Sequence, residues 1–147
     1  MLTDSLKVLL ATSYAFVIKA QNFHWNVEGP NFPEYHKFLG DLYEEVYENS
    51  IDQTAEYVRV LGAYTPGSIS RFAELSQIPD QTKIPRAELM FVELQQDNQT
   101  ITNMWKKAFH LAEEADEQGI ADFIASRIDA HGKHGWMLKS ILKRERA

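Results

Sequence analysis

A chain of 147 residues with a net charge of -6, 44% hydrophobic and 24% charged, is expected to fold as one globular domain. Such a chain buries roughly 68–70% of its unfolded surface. The acidic balance argues against a generally nucleic-acid-binding surface and favours attraction for cations. The absence of cysteine excludes disulfides and thiolate metal sites, and no apolar run approaches the ~20 residues of a membrane span.

Thr3 or Asp4 can cap a first helix. Leu6, Leu9, Leu10, Tyr14, Val17 and Ile18 continue it at spacings of three and four, so one apolar stripe runs towards Trp25. No basic start precedes a short apolar core at Met1–Asp4, so no signal peptide is expected, and a soluble cytoplasmic protein is the default. Val27-Glu28-Gly29-Pro30 breaks the helix. Asn31 can cap a second, with Pro33 in its first turn, where a missing N–H costs little. This helix is expected to reach about Leu61, where Gly62 and Pro66-Gly67 stop it. Ile69, Phe72, Leu75 and Ile78 mark a short helix inside a long connection closed by Pro79 and Pro85. The third long helix runs from about Arg86 to Glu114 on Met90, Leu94, Ile101, Met104, Trp105, Ala108 and Leu111. The polar run Gln95 to Thr100 interrupts that stripe. After a turn at Asp116 to Gly119, the fourth runs to about Arg144, with Ile120, Phe123, Ile124, Ile128, Trp136, Met137 and Ile141 facing inwards. No strand pattern or internal repeat is evident. The expected fold is all-α: a four-helix bundle with a short extra helix in the long connection between the second and third helices.

The chemistry concentrates between Ala20 and Tyr57. His24 ends the first helix, and His36, Asp41, Asp52 and Glu56 lie on the second. Imidazole and carboxylate are the mixture that suits iron, manganese or zinc. Asp52 and Glu56, four apart, share a helix face and repel by a few tenths of a kcal/mol. With Glu44, Glu45 and Glu48 nearby they read either as a solvated acidic face or as carboxylates whose repulsion a cation offsets. Composition does not choose between the two.

The order of the residues does. The string HWNVEGPNFPEYH, followed by DQTAE, resembles the Dps family, the ferritin-like mini-ferritins of DNA protection during starvation. The resemblance extends over nearly the whole chain, through KAQNFHWNVEGPNF, LYEE, IDQTAEYVRVLG, TPGSISRFAELSQI and GKHGWMLKSIL, and implies a single ferritin-like, Dps-type domain over residues 1–147. It further implies a homo-oligomeric shell of twelve subunits, with iron bound and oxidised between two-fold-related chains. Carried over residue by residue, His24 and His36 come from one chain and Asp52 and Glu56 from its mate. Trp25 matches the tryptophan beside that site, where core packing would equally explain it. Hydrogen peroxide is the oxidant the family usually prefers, and ferric mineral collects inside.

Two departures from the family pattern matter. The acidic residue usual four positions after the second histidine is Gly40 here, with Asp41 one further on. The step from His36 to Asp52 is sixteen residues, against the usual fifteen. At ~100° per residue fifteen steps leave the two directions about 60° apart and sixteen about 160°, so a straight helix would mis-aim one end of the site. An extra residue inside a helix is usually absorbed as one wide π-turn. A π-turn is therefore expected between Phe38 and Ile51, with Asn49 or Ser50 bonding the backbone group it frees. Asp41 would join the site only if the helix were re-phased before it.

Around the start of the last helix lie Glu113, Asp116, Glu117, Asp122 and Asp129. Acids in a first turn suit the helix dipole, while the resemblance places Asp122, with Glu113, at pores for iron entry. His110, His131 and His134 show no partner pattern and read as solvated or core residues. Lys139, Lys143, Arg144 and Arg146 give a small basic end. DNA binding, the rival function, is not favoured by a tail this short and a shell this acidic. A bundle with no metal is disfavoured by His24, His36, Asp52 and Glu56 together.

Overall fold

The computed structural model describes residues 1–143. The expected helix end at Arg144 and the basic residues Arg144 and Arg146 lie outside the described residues. Four long helical rods form the bundle, and no strand occurs among the described residues. Helix α1 spans Leu2–Asn26 and buries Leu2, Leu6, Leu9, Phe16, Ala20 and Phe23 at the three- and four-residue spacings that put side chains on one face. Gly29, at φ 123°, turns the chain in a conformation that costs glycine little. The second rod is α2, Phe32–Val46, with Pro33 in its first turn, then a π-turn at Tyr47–Ile51, then α3, Asp52–Val60. It ends at Gly62, φ 90°, where Ala63 N–H bonds the Val58 carbonyl at 3.2 Å and Gly62 N–H that of Arg59 at 3.0 Å, a paired helix stop.

The long connection carries α4, Ile69–Leu75, capped by the Ser68 side chain. It lies on α1, where Phe72 stacks on Tyr14 at 5.1 Å and Gln77 N–H donates to Thr12 Oγ1 at 3.1 Å. Helices α5, Ala87–Glu114, and α6, Gln118–Leu142, form the second helical hairpin, and α1 packs on α2, α3, α4 and α5. Phe16, Phe23, Phe91 and Trp105 are among the largest fully buried side chains of the core.

The polar run Gln95 to Thr100 does not break α5, because its inward members have partners. Lys19, buried on α1, reaches Asp97 at 2.8 Å and Glu93 at 3.6 Å. Asn98 holds His131 at both ends: its Nδ2 donates to the His131 carbonyl at 3.0 Å, and its Oδ1 accepts from His131 Nδ1 at 2.8 Å. Glu45, expected on a solvated face with Glu44 and Glu48, turns inwards. It takes two bonds from the buried Arg127, at 2.7 and 3.0 Å, and one from His134 Nε2 at 2.6 Å. Burial pushes the Glu45 carboxyl up, but the hydrogen bonds and charges of His134 and Arg127 outweigh it and hold the group well below the usual carboxylate range. Asp97 goes the other way, since its burial outweighs Lys19 and raises it. His131 and His134 are thus core residues, and His110 is a surface one, 3.5 Å from Glu113.

Candidate metal centre

The turn after α1 folds α2 back so that His24, in the last turn of α1, meets His36, near the start of α2. The rings stack at 3.8 Å and 13°. Their contacts are reciprocal: His24 Nδ1 donates to the His36 carbonyl at 2.5 Å, and His36 Nδ1 to the His24 carbonyl at 2.7 Å. A carbonyl only accepts, so both Nδ1 atoms carry hydrogen, and Nε2 is the nitrogen left on each ring to bind a metal. A backbone carbonyl on one ring nitrogen is the usual way a ligand histidine is fixed and its other nitrogen readied for a metal. Phe32 stacks on His36 at 5.0 Å, and the Tyr43 ring meets His24 edge-on at 5.5 Å. These aromatic neighbours hold the pair where it is half-buried.

Gly40 lies against the His24 ring. A Cβ at this position would stand 2.9 Å from His24 Cε1 and 3.1 Å from Nδ1. Asp41 does not join the histidines. It is exposed and bonds Lys37 Nζ at 2.8 Å. The reason is where the extra residue is absorbed. The π-turn lies at Tyr47–Ile51, after Asp41, so α2 runs regularly through residues 36–41. Gly40 keeps the position facing His24, and Asp41 is turned ~100° away.

The π-turn thus falls within the window expected from the sixteen-residue step, but other side chains serve it. Gln53 Nε2 donates to the Glu48 carbonyl at 3.0 Å, and Thr54 Oγ1 to the Ser50 carbonyl at 2.5 Å. Asn49 instead donates to Glu45 Oε2 at 3.2 Å, and Ser50 Oγ is buried without a protein partner. Gln53 reaches back five residues and Thr54 four, so the turn is served from its C-terminal side.

Asp52 and Glu56 begin α3 beyond this turn, both exposed. Among the described residues, no three His, Asp or Glu of one chain come together to hold a metal ion. The carried-over residues therefore stand as two halves, an imidazole pair and a carboxylate pair. Trp25, next to His24, is 64% exposed, so packing within its own chain does not account for it. Glu113, Asp116, Glu117 and Asp122 line one surface depression of about 420 Å³. Asp116 sits there at φ 57°, held by the same paired bonds that end α3: Glu117 N–H to the Ala112 carbonyl at 2.9 Å and Asp116 N–H to that of Glu113 at 3.0 Å.

Sequence reading missed the interior residues Lys19, Glu45, Asp97 and Arg127. A signal was present for part of this group. Arg127, His131 and His134 recur at spacings of four and three, which places three polar groups on one face of α6.

The chain matches the family model described as a ferritin-like domain over residues 3–147. It is 36% identical over 136 residues to an uncharacterised low temperature-induced protein of Nostoc, covering 91% of this chain and 75% of that one. The crystal structure of Dps from Staphylococcus aureus superposes with a TM-score of 0.93 at 30% identity, covering 98% of this chain and 96% of that one. A DPS protein from Vibrio cholerae, described as a member of a broad superfamily of ferritin-like diiron-carboxylate proteins, superposes at 0.92 with 26% identity, covering 97% of this chain and 89% of that one. No helix among the described residues is long and apolar enough to cross a membrane.

Proposed function

We propose that this chain, which belongs to the Dps family of ferritin-like proteins, is a ferroxidase that binds Fe(II), oxidises it with hydrogen peroxide and stores the ferric product inside a shell of twelve subunits. One observation carries the reading: the His24–His36 pair presents two stacked imidazoles whose Nδ1 atoms are already committed to backbone carbonyls. Two nitrogen ligands stand ready, and a second copy of the chain would complete them with Asp52 and Glu56. Carboxylates favour the higher charge of Fe(III) over Fe(II), so this donor set assists loss of the electron. Each peroxide takes two electrons and two protons to give two waters, so two Fe(II) are consumed per peroxide. Trp25, exposed beside His24, would lie next to the bound iron. Glu113 and Asp122, on one acidic depression, would draw Fe(II) towards the shell by their charge.

Mixing the metal-free protein with Fe(II) and peroxide under anaerobic conditions tests this reading. Near-ultraviolet absorbance should rise with two Fe(II) consumed per peroxide, and the ferric product should co-elute with a particle of twelve chains. A monomer or isolated dimer at neutral pH, or a rate no faster than iron without protein, would refute it.

A further inference from the structure

We propose that the bundle interior beside the π-turn is a built site for one water molecule, held by Arg127 and His131 of α6, Ser13 of α1 and Ser50 of the second rod. The site is independent of the iron chemistry. Four atoms carry the inference. Arg127 Nε, His131 Nε2, Ser13 Oγ and Ser50 Oγ have no hydrogen-bond partner among the described residues, and none of the four residues is more than 2% exposed. Polar groups buried this deeply are paired in native interiors, with ordered water where the protein supplies nothing. The two serines are not satisfied by their own helices either. Thr12, Thr54 and Thr102 each donate to the carbonyl four residues back, which Ser13 and Ser50 do not.

The fold brings the four to one level of the bundle. Tyr35, near the start of α2, packs on Phe91, near the start of α5. Those two helices therefore run in one direction, and their hairpin partners α1 and α6 run together in the other. Phe16 of α1 meets the His131 ring at 6.2 Å, and Ser13 and Arg127 stand about one turn earlier on these two helices. Arg127 reaches the second rod at Glu45, and Ser50 follows Glu45 by five residues, one wide turn of the π type. His131 Nδ1 is committed to Asn98 of α5, so Nε2, across the ring, faces away from α5. The donors and acceptors are complementary. The Arg127 Nε–H only donates. Burial and the Arg127 charge keep His131 from protonating, so its Nε2 only accepts, while a hydroxyl does either. One water takes the Nε–H, gives to Nε2 and bonds the two serines, within the two to four partners of a buried water. It ties α1, the π-turn and α6 together at one point and braces the turn that precedes Asp52.

A high-resolution crystal structure of the metal-free protein tests this. One water per chain is expected within about 2.7–3.2 Å of both Arg127 Nε and His131 Nε2. No density there, with these atoms bonded directly to the serine hydroxyls, would overturn the proposal. So would an anomalous peak after bromide soaking, which would make the site one for an anion. The double variant Ser13→Ala, Ser50→Ala should fold, because alanine suits a helix. It should melt several degrees lower and show the water at reduced occupancy or lost. A melting temperature and a water both unchanged in that variant would show that the hydroxyls do not hold it, and would overturn the site as drawn.

Discussion

Arg127 grips Glu45 through two parallel bonds of 2.7 and 3.0 Å, joining α6 to α2 across the bundle. The Arg127 side chain is only 3% exposed, so its charge has almost no access to water. A buried pair of this kind adds little net stability over apolar packing, but removing one partner strands the other. Glu45→Ala should therefore cost about 3–5 kcal/mol, read as a lower denaturant midpoint. Glu45→Gln, which keeps the shape and an acceptor, should cost less.

Stability should fall as the solution is made acidic, in two steps. Burial first, then the charges of Arg127 and His134, hold His131 well below its ordinary value of 6.5, with Glu45 opposing. A histidine depressed in the fold is protonated first in the unfolded chain. Its contribution is therefore present above about pH 6.5 and is lost as pH falls below that value. Glu45, depressed by its partners from an ordinary 4.5, adds a second loss that begins below about pH 4.5. Asp97, raised by burial, works in the opposite sense in the acid range. Urea midpoints measured between pH 8 and pH 4 should decline from near pH 6.5, and His131→Leu should flatten the upper part of the decline.

The ligand assignment makes a graded prediction. His24→Ala, His36→Ala, Asp52→Ala and Glu56→Ala should each slow iron oxidation, roughly 10–100-fold, with the assembly intact by light scattering. Asp41→Ala should leave the rate unchanged, because Asp41 is committed to Lys37 at the surface. An unchanged rate in the double variant Asp52→Ala, Glu56→Ala would show the carboxylate half to be misassigned.

The π-turn predicts an uneven response to deletions. Removing Asn49, exposed within the turn, should convert it to ordinary helix and keep the directions of Asp52 and Glu56, so iron oxidation should survive. Removing Asn49 and Ser50 together should rotate both carboxylates by about 100° and abolish it. Stopped-flow absorbance compares the rates, and a crystal structure of the single deletion would show whether the helix has straightened.

The sequence alone determined what depends on near neighbours. Helix ends follow from breaking residues: Gly29, Gly62 and the turn at Asp116 stand where the chain order places them, within a residue or two, whereas neither Thr3 nor Asp4 caps α1 and Asn31 makes no side-chain cap bond. The π-turn was legible because a sixteen-residue step between two positions that must share a direction fits no straight helix. The order of the residues pointed to His24 and His36, which the fold brings together, and to Asp52 and Glu56, which stand apart from them within the single chain. What only the tertiary structure decided involves residues far apart in sequence. Glu45 reads as one more acid in a charged run, and nothing local reveals that Arg127 and His134 reach it from another helix. The polar run containing Asp97 and Asn98 reads as an interruption until Lys19 and His131 are seen beside it. Gln53 serves the π-turn instead of Asn49 or Ser50 because the reach and direction of each side chain are set by the turn itself. Asp41 is excluded, and Gly40 admitted, because of where the bulge falls and because the His24 ring fills the space above the glycine. Periodicity gives the face of most core residues, though not of Trp136, which was expected to face inwards and is exposed, and the partner on each face is fixed only when the helices pack.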